Sequence, residues 1–371
     1  MQTEEWVDEI LPKAEKKMRA MMERNRGKIP YIAVDGVYDD MAKDKIFWWT
    51  NGFYAGELWQ FYYLTGDDSF REDAVSIEEM LDKAFADFQG LHHDVGFMWM
   101  LTSVADYKTT KDERSKVRAL HAAALLAGRF NLRGEFLRSW NRDNSGWVII
   151  DSMMNIPILY WASETVKDPR FSQIANAHAD SVLEYLVRKD GSVGHIACFD
   201  PNTGEFQKLL AGQGYSADSS WSRGQAWAIY GFALAYRHTQ KSEYLMAAKN
   251  IANYFIACVS RTDFLPLVDF RAPAYPKKWD MSAGTCAACG LMEIADHVDS
   301  CEKNLYRDSA VKMLRAIEHA YADWNSDTDG IIGYSSHSYH NSEETHVSMI
   351  YGDYFFIEAL LRLKGDVLTI W

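Results

Sequence analysis

The sequence predicts an all-α protein, an (α/α)6 barrel of six helical hairpins built as one domain over residues 1–371. Three observations carry this expectation. A unit recurs in which an apolar helix, a short polar turn, an aromatic residue and a second helix follow one another. The first helix of each unit is the more apolar and should face inward, whereas the second carries charges on one face and should lie outside. No Pro/Ser-rich linker, low-complexity stretch or atypical polar capping unit interrupts the series. Repeated helix pairs form either an open solenoid or a closed toroid. Six pairs without polar caps favour closure, and a solenoid is the structural alternative.

The chain opens on "MQTEEWVDEILPKAEKKMRAMMERN", a charged, amphipathic helix without the apolar centre of a signal peptide. The first clear hairpin is "GELWQFYYLTGDDSFREDAVSIEEMLDKAF". A weaker copy, "GFMWMLTSVADYKTTKDERSKVRALHAAALLAGRF", comes second. "NIPILYWASETVKDPRFSQIANAHADSVLEYLV" is the third, "GQAWAIYGFALAYRHTQKSEYLMAAKNIANYFIACV" the fourth and "CAACGLMEIADHVDSCEKNLYRDSAVKMLRAIEHAY" the fifth. The last, "HVSMIYGDYFFIEALLRLKG", is again weak. Long Gly- and aromatic-rich connections such as "GHIACFDPNTGEFQKLLAGQGYSADSSWSRG" follow the inner-then-outer rhythm. Such loops commonly carry function, and here they are predicted to gather at one mouth.

Composition narrows the function. A formal net charge of −13 argues against a nucleic-acid or anionic-membrane partner, either of which needs a basic footprint. No stretch approaches the ~20 uncharged apolar residues of a membrane span. The five cysteines are sparse and odd in number, which points to a reducing, cytoplasmic setting. Cys286 and Cys289 read as core thiols in a small-residue helix, with no second pair to complete a metal site.

Two carboxylates stand out. Asp151 lies in the apolar run "SGWVIIDSMMNIPILYW", where an ionised side chain needs a reason to be. Pro157 favours the first turn of a helix, so the helix should begin near residue 155 or 156 and leave Asp151 just before it, at the barrel mouth. Asp94, in "GLHHDVGFMWML", likewise precedes an apolar helix. Helix capping is the competing role for both acids. His92 and His93 flank Asp94, but no His-Glu-x-x-His helix or third clear ligand supports a metal, and none is expected. Trp221, Arg223, Gln225 and Trp227 alternate through "GYSADSSWSRGQAWAIY". Flat apolar faces beside fixed donors are what a sugar cleft needs, and core packing is the competing role. His195 and Gln213 sit in Gly-flanked loops.

The blocks "WWTNGFYAGELW", "HHDVGFMW", "IIDSMMNIPILYWAS", "GYSADSSWSRGQAWAIYGFALAY" and "SAGTCAACGL" resemble, in order, the unsaturated glucuronyl hydrolases. The resemblance implies the same (α/α)6 barrel, no cofactor, and a substrate with a Δ4,5-unsaturated uronic acid at its non-reducing end, as polysaccharide lyases generate. It assigns Asp151 as general acid and base and Asp94 as the second essential carboxylate. It places Trp49 (with Trp48 an adjacent rival), His93, Trp140, His195, Gln213, Trp221, Arg223 and Trp227 around the sugar. The implied chemistry is hydration of the C4=C5 vinyl ether rather than direct cleavage of the glycosidic bond. An apolar setting and a nearby second carboxylate would both favour a protonated acid. Three alternatives stay open: an unsaturated rhamnogalacturonyl hydrolase acting on pectin fragments, an ordinary inverting glycosidase on an α-toroid, and a non-catalytic glycan-binding toroid. Relatives that favour sulfated substrates carry a Ser-x-x-Ser-x-Lys pattern, matched here by Ser335, Ser338 and His340 in "SSHSYH". With His in place of Lys, the resemblance implies sulfate tolerance that strengthens as pH falls.

Overall fold

In the computed structural model, which describes residues 2–141 and 144–371, twelve helical segments form a closed double ring. The inner ring comprises Phe53–Thr65, residues 95–110, Pro157–Val166, Ser222–Thr239, Met281–Ala295 and Ile350–Lys364. The outer partners of the first five are Asp68–Ala86, Glu113–Ala127, Pro169–Leu186, Ser242–Val259 and Ser300–Tyr321. The outer partner of the last inner helix is Thr3–Asn25, from the other end of the chain. The sixth hairpin is therefore assembled from both ends of the sequence, which is why its copy looks incomplete when read linearly. The (α/α)6 expectation holds and the solenoid does not.

Local chemistry explains the alternation. Five inner helices end in a left-handed residue, Gly66, Lys111, Lys167, Gln240 or Gly365. In three cases an aspartate follows at once and caps the outer helix: Asp67, Asp112 and Asp168 accept from the backbone N–H of Ser69, Arg114 and Arg170. Inner helices are buried almost all round; every residue of Met281–Ala295 is buried. The second inner helix contains a π-helical turn at Met100–Val104, which begins six residues after Asp94. One continuous hydrophobic cluster runs from Trp6 to Trp371. Among the described residues, no helix is long and apolar enough to cross a membrane.

Three small antiparallel sheets decorate the connections. One pairs Val37–Tyr38, Ile32–Val34, Thr345–Met349 and Ser335–Ser336 in that order. A second joins Phe130–Asn131 to Phe136–Leu137, and a third orders Trp147–Ile149, Ile196–Phe199 and Phe206–Leu210. All three sheets are built from connections that run from an outer helix to the next inner one.

The sixth hairpin is fastened by two cations of the first helix. Lys17 is buried; its ammonium donates to Asn325 O at 2.6 Å and Thr328 Oγ1 at 2.9 Å, and lies 3.6 Å from Asp323 Oδ2. Arg24 donates to Asp329 Oδ1, Ser326 O and Thr328 O. Asp329 in turn accepts from the backbone of Tyr38 at 3.0 Å. Replacing Lys17 with Met keeps the stem but removes these donors. Hydrogen bonds from charged groups are worth about 1.5–3 kcal/mol, so Lys17→Met should lower unfolding stability by about 2 kcal/mol. Urea denaturation checks this, and an unchanged midpoint would contradict the role given to the ammonium.

Candidate active site

Because each hairpin runs inward then outward, all six inner helices point their N-termini at the same mouth. A cleft of about 330 Å³ opens there, lined by Trp48, Trp49, His92, Asp94, Trp140, Ile149, Asp151, His195, Gly212, Gln213, Arg223 and His337. All but Arg223, which sits in the first turn of its helix, come from segments that precede an inner helix. Another cavity of similar volume lies at the opposite ends of these helices. Its Arg237 and Arg362 are ion-paired with Glu293, so it is a structural polar layer.

Asp151 sits in the short 3-10 turn Ile150–Met154, and the following helix begins with Pro157 at its first position. Asp151 caps neither element. Its Oδ1 has no hydrogen-bond partner among the described residues and lies 3.5 Å from His195 Nε2. His195 Nδ1 receives the backbone N–H of Gln213 at 2.9 Å, the shorter of its two contacts, the other being Ala211 O at 3.3 Å. Since Nδ1 accepts, the proton of a neutral imidazole belongs on Nε2, directed at Asp151. This arrangement requires Gly212. A Cβ there would lie 1.9 Å from His195 Nδ1, and its φ is +55°.

Asp94 is held quite differently. Its Oδ1 accepts from Asn155 Nδ2 at 2.9 Å, and its Oδ2 lies 3.1 Å from His92 Nδ1 and 3.4 Å from His93 Nε2. Burial alone would raise the carboxyl, but its two histidine neighbours and Asn155 overcome that and hold it at about 2. Burial pushes His93 itself down to about 4. At neutral pH His93 is thus uncharged, and hydrogen bonds from His92 and Asn155 are what keep Asp94 ionised. Asn155 also donates to Asp151 O at 3.3 Å and accepts from Phe97 N at 2.7 Å. One amide therefore joins the backbones of both acidic segments. Gly96 permits the approach, because a Cβ there would meet Asn155 Cα at 2.5 Å. The donor atoms of His92, His93 and Asp94 lie within 4.8 Å of one another, a spacing compact enough for a metal; here the histidines face a shared carboxylate oxygen.

Arg223 is buried and pairs with Asp280. Burial opposes its charge, but Asp280 outweighs that effect and the guanidinium is held above its ordinary value. It also donates to Ser336 O at 2.7 Å and His337 O at 2.6 Å, and lies over the rings of Trp221 and Tyr351. Gln213 Nε2 donates to the same His337 oxygen at 2.7 Å. Burial, with Arg223 beside it, pushes His337 down to about 4, leaving a neutral imidazole at the cleft wall.

The sequence-derived residues divide on this geometry. Trp49, Asp94, Trp140, Asp151, His195, Gln213 and Arg223 line the cleft. Trp48 does so too, so the two adjacent tryptophans are not rivals. His93, Trp221 and Trp227 lie behind the wall. His93 and Trp227 are fully buried, and Trp227 packs edge-on beneath Trp49 with ring centroids 6.4 Å apart. Trp221 backs His195, with centroids at 4.5 Å. Gln225 turns away from the cleft and bonds Ser220. Ser335 is buried, and its hydroxyl accepts from Ser282 N at 3.1 Å, so it belongs to the core rather than to a ligand surface. Ser338 is half-buried. His340 is exposed, stacked on Tyr215, with Nε2 3.0 Å from Tyr215 O. Asn155, His337 and Asp280 were not singled out in the sequence. Arg142 and Asp143, which follow Trp140 and Asn141 in the sequence, lie outside the described residues.

The profile of Glycosyl Hydrolase Family 88 matches residues 21–357. The chain belongs to this family. It is 37% identical over 336 residues to an unsaturated glucuronyl hydrolase of Bacillus sp. (strain GL1), covering 87% of this chain and 88% of that protein. The crystal structure of the Bacillus sp. GL1 unsaturated glucuronyl hydrolase, described as responsible for the degradation of glycosaminoglycan, superposes with a TM-score of 0.93 at 33% identity, covering 97% of both chains. An unsaturated chondroitin disaccharide hydrolase of Streptococcus pneumoniae is 30% identical over 378 residues, covering 100% of this chain and 94% of that one. An Asp-to-Asn variant of the Streptococcus agalactiae unsaturated glucuronyl hydrolase, solved with dGlcA-GalNAc6S, matches with a TM-score of 0.85 at 29% identity, covering 98% and 93%. Within this glycoside hydrolase family the chain supplies a cleft with one engaged carboxylate and one open one.

The engaged carboxylate gives a signed prediction. Asp94 titrates below the ordinary ~3.9 of an aspartate, so its stabilising contribution is complete above about pH 4 and is lost as pH falls through about 2. Asn155→Ala removes a donor from Asp94. Its titration, followed by carbon-13 NMR of the carboxyl, should move upward, and the acid limb of any activity that needs an ionised Asp94 should move with it. An Asp94 titration unmoved in Asn155→Ala would show that Asn155 does not set it.

Proposed function

We propose that this glycoside hydrolase removes a Δ4,5-unsaturated glucuronic acid from the non-reducing end of lyase-generated oligosaccharides by hydrating its C4=C5 vinyl ether. The observation that carries the reading is the asymmetric pair: Asp151 open to the cleft beside His195, Asp94 locked as a carboxylate by Asn155 and His92. Two carboxylates with different environments suit one proton-transferring role and one purely electrostatic role.

Asp151, as the carboxylic acid, delivers its proton to C4. Positive charge then develops at C5 and the ring oxygen, and the fixed negative charge of Asp94 stabilises it. Asp151, now a carboxylate, takes a proton from the water that adds at C5. The resulting hemiketal opens, expels the rest of the chain and leaves a 4-deoxy-5-keto uronate. No step needs a metal or cofactor. The six inner-helix N-termini and Arg223 make the mouth favourable for the substrate carboxylate despite the net charge of −13. Trp48, Trp49 and Trp140 offer flat apolar faces to the sugars.

The preferred glycan is read from the relatives: chondroitin-type disaccharides are acted on by one, and dGlcA-GalNAc6S is bound by another. We take residues 1–371 as a single catalytic domain, supported by the one continuous hydrophobic cluster, and place it in the cytoplasm, supported by five free cysteines. Sulfate recognition, if carried by the "SSHSYH" loop, falls to Ser338 and His340. Across pH, His340→Ala should abolish the rise in the sulfated-to-unsulfated activity ratio expected on acidification. A ratio profile identical to wild type removes this histidine from selectivity.

Turnover in heavy water should place deuterium at C4 of the uronate product and erase the ultraviolet absorbance of the conjugated enoate. Asp151→Asn should lose activity by at least ~10²–10⁴-fold, the range of general acid–base catalysis, with substrate binding much less affected. Unlabelled C4, or near-wild-type turnover by Asp151→Asn, would overturn the assignment.

A further inference from the structure

We propose that Arg129 is a positioning residue for substrate binding, holding the Trp140 wall of the cleft in register with the segment that carries Asp94. The proposal rests on reading the cleft as a sugar site. Arg129 does not line the cleft; it lies behind it, in a neighbouring cavity bounded by Phe88, Leu91 and His92. It follows directly on the outer helix Glu113–Ala127, whose cap is Gly128.

The guanidinium grips four consecutive residues. Nε donates to Arg138 O at 2.9 Å, Nη2 to Ser139 O at 3.1 Å and Trp140 O at 2.9 Å, and Nη1 to Asn141 Oδ1 at 2.9 Å. Only a planar fork of donors can do this; a lysine has one nitrogen to bring to the same place. The contact spreads from there. Asn141 Nδ2 donates to Gln89 O at 2.9 Å and Leu91 O at 3.1 Å, which lead directly into His92 and Asp94. Ser139 O also accepts from His93 N at 3.2 Å, while its hydroxyl accepts from Ile149 N at 2.9 Å, two residues before Asp151. One half-buried cation thus ties the tryptophan wall to both acidic segments. Keeping it there is costly: burial, together with nearby Arg138, lowers Arg129 to about 10, although it stays cationic at neutral pH.

A wall that touches substrate in ground and transition states alike affects KM more than kcat. Arg129→Lys should therefore raise KM for an unsaturated chondroitin disaccharide roughly tenfold, the scale of a lost charged hydrogen bond, with kcat within about twofold. Trp140→Ala should raise KM comparably. The double variant should be no worse than Trp140→Ala alone, because both act through one contact. Asn141→Ala, a milder change, should shift KM in the same direction and be equally non-additive, and it carries the test if Arg129→Lys fails to fold. Multiplicative effects, a loss confined to kcat, or an unchanged KM would overturn the proposal.

A wild-type enzyme inactive on this disaccharide would instead defeat the functional reading. In that event the fluorine-19 resonance of 5-fluorotryptophan at position 140, assigned by Trp140→Phe, still tests Arg129. It should shift or broaden in Arg129→Lys without any substrate; an unmoved resonance refutes the positioning role.

Discussion

Everything at the mouth depends on the shared polarity of the six inner helices. Each is paired with an antiparallel outer helix, so ring closure forces all six N-termini to one end. Their unpaired N–H groups and dipoles contribute positive partial charge at that end. An acidic protein can thereby welcome an anionic ligand without a basic surface. The inner helices are buried nearly all round, so most of their own side chains are unavailable for chemistry. The groups that line the cleft consequently come from the connecting segments, with Arg223 in the first helical turn as the exception.

Within that frame, Asn155 divides the labour between two aspartates. Its amide locks Asp94 while touching only the backbone of Asp151, so one acid loses its freedom and the other keeps it. The close approach at Gly96 shows how little slack this allows. Arg223 and Gln213 have their terminal donors engaged by loop carbonyls, which makes them builders of the cleft wall as much as contacts for a ligand.

The fold was legible because its repeat is written in hydrophobic periodicity, which records local helix faces. The closing hairpin was not, because its two helices stand at opposite ends of the chain. Asp151 and Asp94 could be found as carboxylates at the starts of apolar helices. Asp280 could not, because its importance lies in Arg223, 57 positions away. His337 was hidden for the same reason: its neighbours are brought in by folding. Trp227 was read toward the sugar, yet it lies one turn below Arg223 on a helix apolar on every side. There the core takes it, which is the competing role its sequence allowed. Ser335 was misplaced because a spacing pattern cannot tell that a strand turns one hydroxyl inward.

The loop from Asp323 to Asp329 wraps its oxygens around an ammonium that belongs to the chain itself. Loops of this acidic, carbonyl-rich kind are commonly organised by a dissociable divalent ion. A tethered cation cannot be stripped by a chelator or lost on dilution. Its vulnerability lies elsewhere: proteolytic removal of the first helix would take the cation away with it.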